Sequence, residues 1–598
     1  MNGEIEVRLK GALLLGAGRS REIHDTTLRR PGGEPYIPAS ALKGAIREQL
    51  VRLEGELEGE EVARRILGGQ GYRQEVDPRG KPQEPDVAER PGGGSTRVYL
   101  GDAELEPQVA ATFRHGLGYT VRPQVSIDRR GRRAAEQRLF QRQVVGSPGV
   151  ALVFRAPVDL SLLDPEDRRW FEAAVRAVFA LGSSRSRGLG WVELALVAAA
   201  PQGEAPRPIK IPEATALEVV FETLEPLSLG ELPFVGNFQP TLDYLAASTV
   251  RGAVVTAAMH HRGVTADRRS DPAFKALVLD PETCVRFGDA VPQGEPSAAG
   301  PRVAPLSARI GKYGREKAGV NDTLVRDYVQ QLLAERGVFR PARDEVVVDS
   351  GKAELAARPG RWLGAVAPHR RVMTRLALEP VSARGLDGAL YSVELLERGT
   401  RFVATVSNVG PEARQLLADA AAVDLRAGHG RGQGYGRLRI VDVRPRQEEP
   451  LAERLEAFDA FVRRQIASAA EAPATELASL GGRYLAALLV TEMIPGDGAG
   501  QGAENAFHAA LGLAGSRLLH AEVRAGQRGG FDTAKGQPRP FVPVVRAGSV
   551  LLLSVPAFAA ETVTRLDALE RHGAGEDRDR GFGAVRFSDP IHRQGGSS

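Results

Sequence analysis

Leu-Gly-Ser-Ser-Arg-Ser-Arg-Gly-Leu-Gly-Trp-Val-Glu-Leu, residues 181–194, begins where an apolar helical pattern ends and runs into an alternating strand. Gly182, Gly188 and Gly190 bracket Arg185, Arg187 and three serines. Glycine admits positive φ and lets a backbone approach another surface closely. Successive backbone N–H groups in such a turn, flanked by guanidinium groups, form a concavity suited to phosphate. Related stretches recur at Gly428–Ile440, Gly-His-Gly-Arg-Gly-Gln-Gly-Tyr-Gly-Arg-Leu-Arg-Ile, and at Gly575–Val585, Gly-Glu-Asp-Arg-Asp-Arg-Gly-Phe-Gly-Ala-Val. A single glycine turn before a strand is usually only a turn. Three of them, each closing on Gly-Leu-Gly or Gly-aromatic-Gly, predict one module used three times.

The rest of the chain sets bounds on that reading. Its 598 residues suit about four domains. Lys and Arg number 79 against 75 Asp and Glu, a net charge of +4, so local clustering rather than overall charge must carry any case for nucleic acid. The one cysteine, Cys284, excludes an intrachain disulfide and a cysteine-based zinc site, and suits a reducing cytoplasm. The start, Met-Asn-Gly-Glu-Ile-Glu-Val, lacks a basic and apolar leader, and no run approaches membrane-spanning length. A soluble, cytoplasmic chain without a membrane partner is expected.

Ile5, Val7 and Leu9 alternate with Glu6, Arg8 and Lys10, as in a half-buried strand. A polar excursion over 16–33 holds Arg19, Arg21, His24, Asp25, Arg29 and Arg30. Residues 35–47, Pro-Tyr-Ile-Pro-Ala-Ser-Ala-Leu-Lys-Gly-Ala-Ile-Arg, predict a helix with Ser40 as N-cap and Leu42, Ile46, Leu50 and Leu53 on one face. With Lys43 and Arg47 its start is a ready anion site; alone, it reads equally as a capped surface helix with solvated lysine. Residues 70–96 read as a flexible insertion. Over about 114–145 a basic hairpin is expected, with Arg122, Arg129, Arg130, Arg132, Arg133, Arg138 and Arg142 among Phe113, Tyr119 and Phe140. Cations interleaved with aromatics suit single-stranded RNA, although Asp128 and Glu136 offset part of the charge of a merely solvated hairpin. A strand at 154–162 and a helix over 164–181 complete a first domain, 1–200.

A proline-rich linker, 201–214, follows, and then the pattern restarts. Leu217, Val219 and Phe221 alternate, and Tyr244–Ala253 repeats Tyr36–Ala45 as Tyr-aliphatic-x-Ala-Ser-x-aliphatic-basic-Gly-Ala, with Ser248 and Arg251 standing where Ser40 and Lys43 stand. The second domain is read as 215–447, with a loose stretch at 289–302 and strands near 373–379 and 402–409. Leu451, Leu455, Phe458, Val462 and Ile466 mark a connecting helix within 448–482, and strands at 484–490 and 550–555 with a helix around 561–570 fill a third lobe, 483–598. Strand, helix and glycine loop into strand, iterated, imply a small α+β module with an open antiparallel sheet.

Together these residues resemble the RAMP superfamily of CRISPR effector proteins, whose ferredoxin-like, RRM-like units end in a Gly-rich loop. Tyr36–Arg47, Val98–Ala103 (Val-Tyr-Leu-Gly-Asp-Ala) and the basic stretch around Asp128 and Arg129 are similar to the backbone subunit of type III complexes. Gly236–Ala253, Val285–Ala290 (Val-Arg-Phe-Gly-Asp-Ala) and Gly575–Val585 are similar to the type III-D subunit that caps the guide's 5′ end. The resemblance implies a fusion of one backbone-type unit with a two-lobed capping unit, probing guide RNA, target RNA and other effector subunits as partners. RNA contacts are then expected from Arg19, Arg21, Ser40, Lys43, Arg47, Arg122, Arg129, Arg130, Arg185, Arg187, Ser248, Arg251, His429, Arg431, Arg578 and Arg580.

In that family the backbone subunit cleaves target RNA with a loop aspartate, and the matching residue is Asp25. It would orient the attacking 2′-hydroxyl or bind Mg2+ or Mn2+ jointly with an RNA phosphate. On the residues alone Asp25 caps a turn or pairs with Arg29; the resemblance implies catalysis. In the second unit Pro233 stands at the position of Asp25, and Glu231 nearby reads as structural, so no cleavage is expected there. A structural RNA-binding subunit is the alternative. So is a metal-independent guide-processing nuclease with His24, His115, His260 or His429 as base.

Overall fold

The computed structural model describes residues 2–18, 23, 25–30, 32–68, 96–114, 118–128, 130–146, 152–198, 209–230, 237–263, 272–280, 282–293, 302–309, 321–335, 362–363, 367–378, 385–446, 448–469, 482–496, 502–532 and 537–593. Among them no helix is long and apolar enough to cross a membrane.

The fold is α+β, and its larger sheets begin from the alternation noted above. Ile5 and Val7 are fully buried, and strand Asn2–Leu9 is central to a six-stranded sheet. Across that sheet run Val192–Ala198, Asn2–Leu9, Val153–Asp159, Ala103–Leu105 and Tyr36–Ile37, with Tyr99–Leu100 also on Val153–Asp159. The main pairings are antiparallel, and Ile5 sits opposite both Leu196 and Ala156. Helices Ala39–Glu54 and Pro165–Ala177 cover one face through Leu42, Ile46, Leu50, Phe171 and Val175. The second helix is started by Asp164, whose carboxylate accepts from Asp167 N at 2.9 Å, and by Pro165 at its first position. Leu53 leaves the expected apolar face and is 46% exposed. The chain turns at Gly55 (φ 87°), and helix Glu56–Leu67 folds back onto Leu50 and Val51 instead, closely enough that Gly59 has no room for a Cβ.

A five-stranded sheet runs Arg286–Pro292, Arg401–Ser407, Ala216–Thr223, Arg437–Pro445, Leu425–Arg426, under helices Ala247–His261 and Pro411–Ala421. A four-stranded sheet runs Arg517–Glu522, Val550–Val555, Arg483–Leu489, Val585–Phe587, under helices Ala503–Leu511 and Ala560–His572. In each of the three sheets the strand leaving a glycine loop lies beside the first strand. The first strand lies beside the one before the second helix, and that lies beside the one after the first helix. Between these last two strands each sheet sends out a two-stranded ribbon: Tyr119–Asp128 with Arg133–Val145, Arg370–Leu378 with Gly385–Leu396, and Ala525–Asp532 with Gln537–Val545. Asp289, expected in a loose stretch, belongs to strand Arg286–Pro292.

The third sheet is buried on both faces. Leu485, Ala487 and Leu489 face its own helices, while Tyr484, Ala486 and Leu488 face helix Leu451–Ala469. Helix Leu324–Glu335, which the sequence reading assigns to the second domain, packs there too through Leu324, Tyr328 and Leu332. Its Asp322–Thr323 entry is held from the C-terminal side by His592, whose Nδ1 lies 3.0 Å from Asp322 Oδ2. The apolar underside of the third sheet decides this placement, not proximity in sequence.

Candidate nucleic-acid interface

The three glycine loops share one backbone. Each makes a single 3-10 turn, Arg185–Arg187, Arg431–Gln433 or Arg578–Arg580, between two left-handed residues. Those residues are Ser184 and Gly188 (φ 60° and 81°), Gly430 and Gly434 (68° and 85°), and Asp577 and Gly581 (51° and 87°). The necks close alike: Leu181 N donates to Gly190 O at 2.8 Å, Ala427 N to Gly436 O at 2.9 Å and Ala574 N to Gly583 O at 2.8 Å. A Cβ on Gly190, Gly436 or Gly583 would strike the carbonyl of Leu181, Ala427 or Ala574. Part of the donor set of the loops is used inside the fold. In the first, the N–H groups of Ser183, Arg187, Gly188, Leu189 and Gly190 all donate to carbonyls within the fold. The N–H groups of Ser184, Arg185 and Ser186, which open the 3-10 turn, are not among these bonds.

Asp25 lies where the first ribbon meets the first loop. Its backbone runs against the ribbon, Asp25 N donating to Gln141 O at 3.2 Å and Gln143 N to Asp25 O at 2.8 Å. Its carboxylate accepts from Arg142 Nε at 2.8 Å, and Arg142 Nη1 donates to Ser184 Oγ at 2.6 Å. Arg142, not Arg29, is therefore the cation beside Asp25, because register places it opposite. The Asp25 side chain remains 43% exposed. Among the described residues no three His, Cys, Asp or Glu side chains gather as a cation site.

The ribbon Tyr119–Val145 carries both cations and apolar groups into solvent. Val121, Val125, Ile127 and Leu139 are exposed, and so are Arg130, Arg132, Arg133 and Arg138, with no ion-pair partner among the described residues. Arg122 stands opposite Arg142, and the Arg142 guanidinium lies 5.0 Å from the Phe140 ring centre. Such a surface can take phosphates on its arginines and bases on its apolar side chains. Arg19, Arg21, His24, His115, Arg129, Glu231 and Pro233 lie outside the described residues, as do residues 201–208 of the linker.

The first helix start is not capped as expected. Its N-cap is Pro38, Ser40 lies inside the helix, and the cap comes from across the sheet: Asp102 Oδ1 accepts from Ala39 N at 2.8 Å. Arg30 donates to Asp102 at 2.9 Å and to Glu104 at 2.8 Å, with its guanidinium 3.9 Å from the Tyr36 ring centre. The second start is built the same way, with Ala247 N donating to Asp289 Oδ1 at 2.7 Å. Burial, with the nearby Glu492 charge adding, pushes the Asp289 carboxyl up to about 7. The signal for both caps was the pair of Gly-Asp-Ala triplets ending at Ala103 and Ala290.

Onto each start a later loop is packed. Gly434 lies over the first, where a Cβ would come within 2.6 Å of Asp102 Oδ1 and 3.0 Å of Ala39 Cβ. Lys43 lies beneath Gly432, and burial lowers its ammonium to about 8. Gly581 lies over the second, where a Cβ would come within 2.6 Å of Phe287 O and collide with Ala247. Around it Arg286 donates to Phe582 O at 3.0 Å, Arg251 approaches Asp579 at 3.4 Å and Arg578 pairs with Glu282 at 2.8 Å. Arg47 is buried, donating to Glu60 at 3.1 Å and to Gly68 O. Arg47, Arg251 and Arg578 thus serve packing and junctions, and Arg580 pairs with Asp577 at 2.6 Å. Arg185 pairs with Glu48 at 2.9 Å, while Arg187, Ser248 and His429 are exposed and Arg431 is half-buried.

Residues 6–193 match the family model of the RAMP superfamily. Two solved structures resemble the chain weakly, both at 13% identity. One is a chain of the type III-B Cmr-beta complex bound to cognate target RNA, covering 33% of this chain and 97% of its own at a TM-score of 0.25. The other is a chain of that complex bound to cognate target RNA and AMPPnP, covering 58% of this chain and 87% of its own at a TM-score of 0.30. No curated protein matches.

Proposed function

We propose that the chain is a guide-RNA-binding subunit of a type III RNA-guided effector, built as three ferredoxin-like RAMP units with Gly-rich loops. The first unit holds the spacer part of the guide, and the region Thr215–Pro590 holds its 5′ handle, in the manner of a III-D capping subunit. The observation that carries this is the ribbon Tyr119–Val145, which carries exposed arginines and apolar side chains toward its tip and pairs with Asp25 at its base, at Arg142. Inserted into a guide–target duplex, its apolar side chains displace a base pair while its arginines hold the flanking phosphates. The test is crosslinking of a guide loaded on the purified chain. Handle nucleotides are expected on residues after 215, and handle adducts before residue 200 would overturn the division.

Asp25 is the residue proposed to cut the target. A nucleotide freed from A-form constraint can bring its 2′-oxygen in line with the adjacent phosphorus. The 2′-O–P bond then forms, the P–O5′ bond breaks, the 2′-hydroxyl proton leaves through Asp25, and the 5′-oxygen takes a proton from water. Arg142, already bridging Asp25 and Ser184, is positioned to turn its charge to the phosphate. A lone carboxylate paired with a guanidinium does not make a divalent-cation site, so no step is drawn through Mg2+ or Mn2+. That same ion pair favours a second reading, in which Asp25 is a structural brace. Asp25→Ala in the assembled complex separates them: one cut should disappear while guide affinity stays within about twofold, since a loop carboxylate contributes little to holding a polyanion. Retention of every product at the parental rate would leave Asp25 structural.

A further inference from the structure

The two junctions inside the chain define what a glycine loop packs against, and among the described residues the first loop has no such neighbour. Gly434 covers the Asp102-capped helix start, and Gly581 covers the Asp289-capped one. Gly188 holds the same place in the same backbone, at φ 81°, and a Cβ there would meet nothing within 4 Å among the described residues. Beside it Phe179 and Trp191 are 48% and 52% exposed, with ring centres 6.1 Å apart. Arg187 stands exposed next to Gly188. A bare left-handed glycine flanked by two large uncovered aromatic rings marks a face built for another surface.

We propose that this face seats on a separate protein subunit presenting an aspartate-capped helix start of the kind seen at Asp102 and Asp289. The occupant is not a second copy of this chain. Of the three sheets' first-helix starts, the two capped across a sheet are already covered by Gly434 and Gly581. The third begins at Gly502, which has no side-chain cap. The strand after that helix, Arg517–Glu522, is also met by helix Leu324–Glu335, where His520 lies 3.3 Å from Gln331. A copy therefore offers no free seat. The inference rests on the three-unit reading but not on any RNA activity.

The experiment uses the full chain in its native guide-loaded complex. Asparagine tolerates the left-handed region, so Gly188→Asn is expected to keep the parental melting temperature and the parental guide affinity of the isolated chain. Its added side chain should nonetheless remove at least one protein subunit from the complex, read as lost mass. Retention of the full mass overturns the proposal. A photoreactive phenylalanine analogue at Trp191 identifies what covers the face. An adduct with the aspartate-capped helix start of another subunit supports it. An adduct with RNA, an adduct with a second copy of this chain, or no adduct at all overturns it. Loss of guide affinity in Gly188→Asn would instead assign the face to RNA.

Discussion

Single positions in the loops tolerate no Cβ, and they separate conformational demand from contact. Gly190→Ala and Gly583→Ala each force a methyl into a carbonyl at a φ of 78° or 71°, so each should lower unfolding free energy by at least about 2 kcal/mol in urea titration. Unchanged stability in both would show that the neck can open without cost. This much was legible in sequence, because a glycine that must take positive φ leaves its spacing behind. The role of Asp102 and Asp289 was not, because a cap supplied across a sheet leaves no pattern beside the helix it caps: the repeated Gly-Asp-Ala triplet lies far along the chain, and Ser40 offered a local candidate. Asp289 also carries a pH signature. Enclosed with Tyr244, Glu492 and Arg528, its carboxyl lies at about 7 in the fold against an ordinary 3.8. A raised value means that its stabilisation is fully present below about pH 4 and is lost as pH rises through about 7. Asp289→Asn keeps an oxygen for Ala247 N, so the parent should lose stability relative to that variant between pH 4 and 8. Parallel denaturation curves across that range would contradict the assignment.

At the scale of elements, ribbon and helix follow different rules of exposure. Helix Ala39–Glu54 was legible from its apolar period, but the direction its basic side chains take was not. Arg47 turns inward only because a second helix, Glu56–Leu67, folds back to supply Glu60 and Gly68 O. Nothing in the period of the first helix announces that partner. The ribbons at 370–396 and 525–545 were harder to see, since the first follows a long insertion and the second is rich in glycine and proline. The first ribbon was readable from its charge alone. If Arg130, Arg132, Arg133 and Arg138 hold phosphates, changing all four to Glu should flatten the log–log salt dependence of guide affinity by about 0.7 per lost contact. An unchanged slope, measured by filter binding over a range of salt, would move the phosphate contacts elsewhere.

For the whole molecule, the junctions turn a row of sheets into one folding problem. Gly581→Asn should split unfolding into two transitions by calorimetry, because its side chain cannot share space with Ala247 and Phe287 O. A single transition at the parental temperature would mean that the third sheet holds its place without that loop. The crossing of helix Leu324–Glu335 to the third sheet shows why a domain boundary could not be read from composition: an apolar underside recruits whatever amphipathic helix reaches it. The same arrangement has a kinetic side. Two of the loops are tethered to their seats by the chain itself and meet them at an effective concentration on the order of millimolar. The loop at Gly188 has only the dilute concentration of a free partner to draw on. Its docking is then the second-order step of assembly, so complex yield should follow the supply of that partner while the inner junctions stay closed throughout.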